Sequence, residues 1–97
     1  MIVESAILPI KAGQEAAFQT ALHGALPLIQ ASKGFHKIEV RRCVENPSQY
    51  LLLVWWDSME DHTIGFRQSE RYQKWREALH RFYDGPLTVL HYQEPVK

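Results

Sequence analysis

The apolar positions of the chain change period along its length, and each change marks an element. Residues 2–10, IVESAILPI, are apolar and β-branched with few breaks, which predicts a strand that ends at Pro9 and the KAG turn. From residue 13 to 32 the period becomes helical: Ala17, Phe18, Ala21, Leu22, Ala25 and Ile29 recur at intervals of three and four. Glu15 falls in the first turn, where a negative charge suits the helix dipole. Pro27 is expected to kink or shorten this helix, and Gly34 to terminate it. Residues 35–45, FHKIEVRRCVE, alternate apolar and polar in their middle, as in a half-exposed strand. The turn residues NPSQ (46–49) lead into YLLLVWW (50–56), which is apolar on both parities and so reads as a strand buried on both faces.

A second helical stretch follows. Ser58 with Asp61 three residues on fits a weak capping box, and Ser69 is a fresh N-cap after a bend near 67–69. Tyr72, Trp75, Leu79 and Phe82 form one apolar stripe, which DGP (84–86) stops. LTVLHYQE (87–94) predicts a last strand. The order β-α-β-β-α-β is the ferredoxin-like, split βαβ arrangement in an α+β domain with a four-stranded antiparallel sheet. Right-handed crossovers place the first and third strands at its centre, in keeping with their more uniform apolarity. Two helices cover only one face of such a sheet. The apolar second face is expected to be covered by another copy, in a homodimer with two sheets packed face to face.

Bulk properties narrow the class. The 97 residues, 45% hydrophobic and 23% charged with no net charge, predict one globular domain over 1–97 and argue against a nucleic-acid binder. The lone Cys43 excludes an intramolecular disulfide. With no basic, apolar leader and no run near ~20 apolar residues, a cytoplasmic location away from membranes is expected. There is no phosphate loop, HExxH, CxxC or GxSxG motif. The five histidines (23, 36, 62, 80, 91) lack ligand spacing, so no metal site is expected.

The chemistry concentrates in HTIGFRQSERYQKW, residues 62–75. His62 titrates near neutrality and can serve as a base, or it can tie its helix to a backbone carbonyl. Phe66, Tyr72 and Trp75 can stack on a flat ligand or pack as core. Phe66, at the bend beside Gly65, is the stronger pocket candidate of the three. Arg67 and Arg76 can neutralise an anion or stand in solvent. Ser5 and His91, on the first and last of the four strands in chain order, are polar handles for the same cavity or satisfied interior groups. Trp55 and Trp56 face opposite ways, one towards the helices.

Residues WWDSMEDHTIGFRQSERYQKWREAL (55–79) and VLHY (89–92) carry a resemblance that extends over nearly the whole chain. The sequence resembles the antibiotic biosynthesis monooxygenase domain family, whose members are ferredoxin-like and form dimeric α+β barrels. The resemblance implies a cofactor-independent monooxygenase that joins O₂ to a small aromatic or quinol-type compound, which supplies the electrons once deprotonated. No cofactor is then expected. His62 would be the catalytic base or polar anchor, with Ser5, Phe66, Tyr72, Trp75 and His91 binding substrate. Two other readings stay open: a non-catalytic dimeric module for a hydrophobic metabolite, and haem binding or degradation. Against the haem-degrading branch, Ser5, Phe66 and Arg76 replace that branch's Asn, Trp and haem-ligating His, while His80 lies one turn beyond Arg76.

Overall fold

The computed structural model describes all 97 residues. Strand β1 (Ile2–Pro9) leads into helix α1 (Glu15–Gln30), then β2 (Phe35–Arg42) and β3 (Gln49–Trp56). A π-helical segment (Asp61–Phe66), helix α2 (Glu70–Leu79) and a 3₁₀ turn (His80–Phe82) precede β4 (Val89–Tyr92). The sheet order is β2-β3-β1-β4, with every pairing antiparallel. The predicted order and the two central strands are therefore present. The last strand is shorter than expected, because β4 pairs only with Val3–Ala6 of β1 and prolines 86 and 95 flank it.

Helix α1 buries Phe18, Leu22, Ala25 and Ile29 at intervals of four, three and four, so one stripe faces the sheet. It continues three residues past Pro27, which is exposed and gives up the backbone bond to the carbonyl of His23. Helix α2 begins where expected: Ser69 Oγ accepts the Tyr72 N–H at 3.2 Å. Arg71 ties the two helices together, donating to Leu28 O at 3.0 Å and Ser32 Oγ at 2.6 Å. That places a cation at the carbonyl end of α1.

Gly34 does more than end a helix. Its φ is +80°, and a Cβ there would lie 2.1 Å from Asp61 Oδ2. Only glycine lets the start of the π segment close onto this turn. Gly65, by contrast, is closely approached by nothing: a Cβ at that position would have Glu60 O as its nearest neighbour, at 3.9 Å. Its effect is to weaken the local α-helix, which here is widened rather than broken.

The face of the sheet turned to the helices holds Ala6, Leu8, Tyr50, Leu52, Val54 and Trp56, all buried. The other face presents Val3, Ser5 and Ile7 of β1 beside Trp55, Leu53 and Leu51 of β3, with Leu90 and Tyr92 at the β4 edge. No element of this chain covers it. Ile7 on the central β1, and Leu90 and Tyr92 on the edge strand β4, are 44%, 51% and 53% exposed, high for large apolar groups.

Candidate active site

The site is built around a carboxylate inside the core. Side chains alternate along a strand, and Glu4 shares its parity with the buried Ala6, Leu8 and Ile10. It is itself only 7% exposed. Trp56, at the end of β3, donates its indole N–H to Glu4 Oε1 at 3.0 Å. His62 Nε2 lies 3.4 Å from the same oxygen, beyond ordinary hydrogen-bond length but within ion-pair reach. The second nitrogen of that ring, Nδ1, is 2.8 Å from His91 Nε2. His91 stands opposite Glu4 in the β1–β4 register. His62 also stacks on the Trp56 indole, with 5.4 Å between ring centres and 20° between planes. His62 thus sits between Glu4 and His91, one nitrogen towards each.

The π segment aims these groups. Ser58 Oγ accepts the Asp61 N–H and donates to Asp61 Oδ2, each at 3.2 Å. At the other end the Arg67 N–H reaches back five residues to His62 O at 2.9 Å. The widened turn buries both His62 and Phe66 and brings Arg67 to the wall of the cavity. Such segments occur often at functional sites.

Burial decides the protonation states. It raises the Glu4 carboxyl to about 7, against the opposing pull of the Trp56 N–H and the Arg67 guanidinium. It lowers His62 to about 3, and the charges of Arg67 and His91 add to this. His91 is lowered too, by burial first and then by Arg67. At neutral pH His62 is therefore uncharged while Glu4 is in the range where it titrates, and no ion pair forms between them. Tyr83 is pushed up to about 12, by burial first and then by Tyr72 and Glu4, so its phenol keeps its proton.

Glu4, His62 and Arg67 meet at an inner chamber of about 70 Å³, walled by Tyr72, Trp75, Tyr83, Leu87 and Val89 and floored by Ala6, Leu8 and Leu52 of the sheet. An outer recess of about 270 Å³ shares those five wall residues and adds Arg76 and His80. The recess lies just below the roughly 300–1,000 Å³ of drug-sized ligand sites. It suits a compound of one or two rings. The arrangement offers a titratable carboxylate, a neutral imidazole pair and a cation around an aromatic-walled space.

Of the residues expected from sequence, His62, Tyr72 and Trp75 line the cavity together. His91 does not line it and acts on it through His62. Phe66 lies behind the wall, packed against Trp56, Tyr72 and Trp75 with ring centres 6.1, 5.5 and 6.1 Å away. The order of preference among the aromatics is thus reversed: the stripe lines the space and the residue at the bend supports it. Ser5 points to the uncovered face, one position out of phase with Glu4. Of the two tryptophans, Trp56 faces the site and Trp55 the open face. Sequence reasoning misses Glu4, although a charged residue inside a central strand is the signal that finds it. No group of three or more His, Cys, Asp or Glu is placed to hold a metal ion.

A helical layer on one face of an antiparallel sheet of order β2-β3-β1-β4 makes this a ferredoxin-like α+β domain, with a buried carboxylate and histidine beside a small cavity. The sequence profile of the antibiotic biosynthesis monooxygenase family matches residues 1–78. The chain belongs to that family. It is 46% identical over 94 residues to the uncharacterized protein YczJ of Bacillus subtilis (strain 168), covering 97% of this chain and 99% of that one. A candidate antibiotic biosynthesis monooxygenase from Bordetella bronchiseptica has a similar structure, with a TM-score of 0.93 and 33% identity over 98% of this chain and 97% of that one. SnoaB, a cofactor-independent oxygenase from Streptomyces nogalater, shares the fold at 10% identity, with a TM-score of 0.84 over 99% of this chain and 94% of SnoaB. No helix of the chain is long and apolar enough to cross a membrane.

Proposed function

We propose that the protein is a cofactor-independent oxygenase of a small aromatic compound bearing an acidic CH₂ or a quinol hydroxyl. The observation that carries this reading is the buried Glu4 carboxyl, held near 7 in the lining of an aromatic-walled cavity. A general base works best when its pKa lies near the working pH. Membership of the family and likeness to an oxygenase described as cofactor-independent support it.

In this reading Glu4, rather than His62, takes the proton. Ionised Glu4 removes it from the substrate CH₂, leaving a carbanion stabilised by the ring. The carbanion gives one electron to O₂, and the resulting radical and superoxide combine to a peroxide. The peroxide anion takes back the proton that Glu4 removed, and water leaves with that proton and the second hydrogen of the CH₂, which leaves a carbonyl: one oxygen atom enters the product and the other leaves in the water. Arg67 faces the developing anion. His62 is neutral on both sides of the step. It packs beside Glu4 between the Trp56 indole and His91, and keeps its second nitrogen on His91.

Oxygen uptake by chelator-treated protein, with a panel of anthrones and hydroquinones, tests the reading. Uptake above autoxidation is expected, with a fall of about 10²–10⁴-fold in Glu4→Gln and a smaller fall in His62→Ala. Uptake unchanged in Glu4→Gln removes Glu4 from the mechanism. No uptake with any of them favours a binding module.

The same reading includes a homodimer joined through the uncovered face, with Ile7, Trp55, Leu90 and Tyr92 at its centre. Light scattering should give twice the chain mass at micromolar concentration. A concentration-independent monomer ends this part of the proposal.

A further inference from the structure

The second half of the cavity says what the ligand carries besides its reactive end. Two guanidinium groups serve this space: Arg67 at the inner chamber and Arg76 at the outer recess. Neither takes part in any of the ion pairs of the molecule, which involve Met1, His36, Lys37, Glu39, Arg41, Asp57 and Glu94. Glu4 is the only carboxylate lining either space. Arg67 is matched by Glu4 whenever that group ionises. Arg76 has no such match, and guanidinium stays charged at all working pH. His80 adds a second polar group beside it.

Size divides the two spaces in the same sense. A cavity of roughly 150 Å³ holds a benzene ring. The inner chamber, at about 70 Å³, takes only a substituent. The outer recess, at about 270 Å³, takes the ring itself. Its walls Tyr72, Trp75 and Tyr83 offer flat faces and edges. A ring placed there puts one end towards Glu4 and the other beside Arg76.

We infer that the ligand is a planar aromatic compound with two distinct ends: an acidic O–H or C–H that enters the inner chamber, and a permanent anion, a carboxylate or its equivalent, that rests on Arg76. The inference rests on the oxygenase reading only for the use made of the first end. The anion site stands or falls by binding alone.

The test uses 6-hydroxy-2-naphthoate and its methyl ester, titrated without oxygen against the full-length protein by calorimetry and tryptophan fluorescence. The acid is expected to bind at least about tenfold more tightly than the ester, and added salt should narrow the gap. Arg76→Gln should weaken the acid about tenfold and leave the ester unchanged, while Arg76→Lys should restore most of the difference. Arg76 is exposed, so circular dichroism should show the same fold in both variants. Equal affinity for acid and ester overturns the inference. So does an Arg76→Gln variant that weakens both alike, or failure of the acid to bind. The two readings separate in air, with the anthrones and hydroquinones alongside: acid binding with no oxygen uptake from any of them keeps the anion site and removes the reaction. Uptake with no preference for the acid does the reverse.

Discussion

Two glutamates near opposite ends of the first strand have opposite fates. Glu15, beyond the turn that follows β1, opens α1 in solvent. Its carboxylate accepts from Ser48 Oγ at 2.6 Å and from the Gly13 N–H at 3.0 Å, and these bonds hold it below the usual range. Glu4, inside β1, accepts one good bond, from Trp56, and is raised to about 7. The difference is not one of nearby cations, since each has an arginine in its field: Arg42 for Glu15 and Arg67 for Glu4. It is one of water. Glu15 keeps its hydration and adds partners, whereas Glu4 loses hydration and gains too few partners to replace it. The first carboxylate locks a turn to a helix. The second is left poised to exchange a proton.

The largest test of this contrast is stability against pH. Glu4 has a folded value of about 7, above the ordinary 4.5. The native state therefore holds a proton that the unfolded chain releases. The associated stabilisation is complete below pH 4.5 and lost as pH rises through 7. From the size of the shift it amounts to about 3 kcal/mol. His62 works in the opposite direction. Its folded value of about 3 lies below the ordinary 6.5, so its stabilisation is present above 6.5 and lost as pH falls towards 3. Between 4.5 and 6.5 the two slopes oppose each other, and denaturant midpoints should run nearly flat. In Glu4→Gln the descending arm near pH 7 should vanish and the plateau should tilt upward with pH. A Glu4→Gln profile superimposable on the parent would show that Glu4 does not titrate in this range.

How far such a site is legible in the sequence depends on what each residue answers to. The element order follows from local periodicity, and so does Ser69 as a cap, because both are settled within a few residues of sequence. The placement of β1 and β3 at the centre follows from their apolarity on both parities. That same apolarity conceals the phase of β1: with both faces greasy, neither Glu4 nor Ser5 announces which side is covered. Ser5 is the natural polar candidate by family resemblance, and Glu4 is one charge in an apolar run. The phase is set by the hydrogen-bonded register with β3 and β4, which also joins His91 to His62. Those are contacts between distant parts of the chain. The π widening is equally silent. Gly65 marks a weak helix but not the direction in which it yields, and that direction sends Phe66 into the packing behind the wall and Arg67 into the cavity.

The smallest effect belongs to Glu15, and its smallness is informative. Its carboxylate lies at the surface, half-buried, so water and salt screen much of what it gains from its partners. The bond to Ser48 nevertheless links the first turn of α1 to the residue before β3. Glu15→Gln should lower the denaturant midpoint slightly at pH 7 and leave ligand binding and oxygen uptake unchanged. The sign of its pH dependence is the reverse of that for Glu4. A depressed carboxyl stabilises above its unfolded value of 4.5 and loses that contribution as pH falls through its folded value. Parent and variant should therefore converge in acid. In the Glu4 pair it is the interval from pH 4.5 to about 7 that distinguishes parent from variant. If Glu15→Gln instead altered the limb near pH 7, the two carboxylates would be energetically coupled, and burial at Glu4 alone would not account for its position.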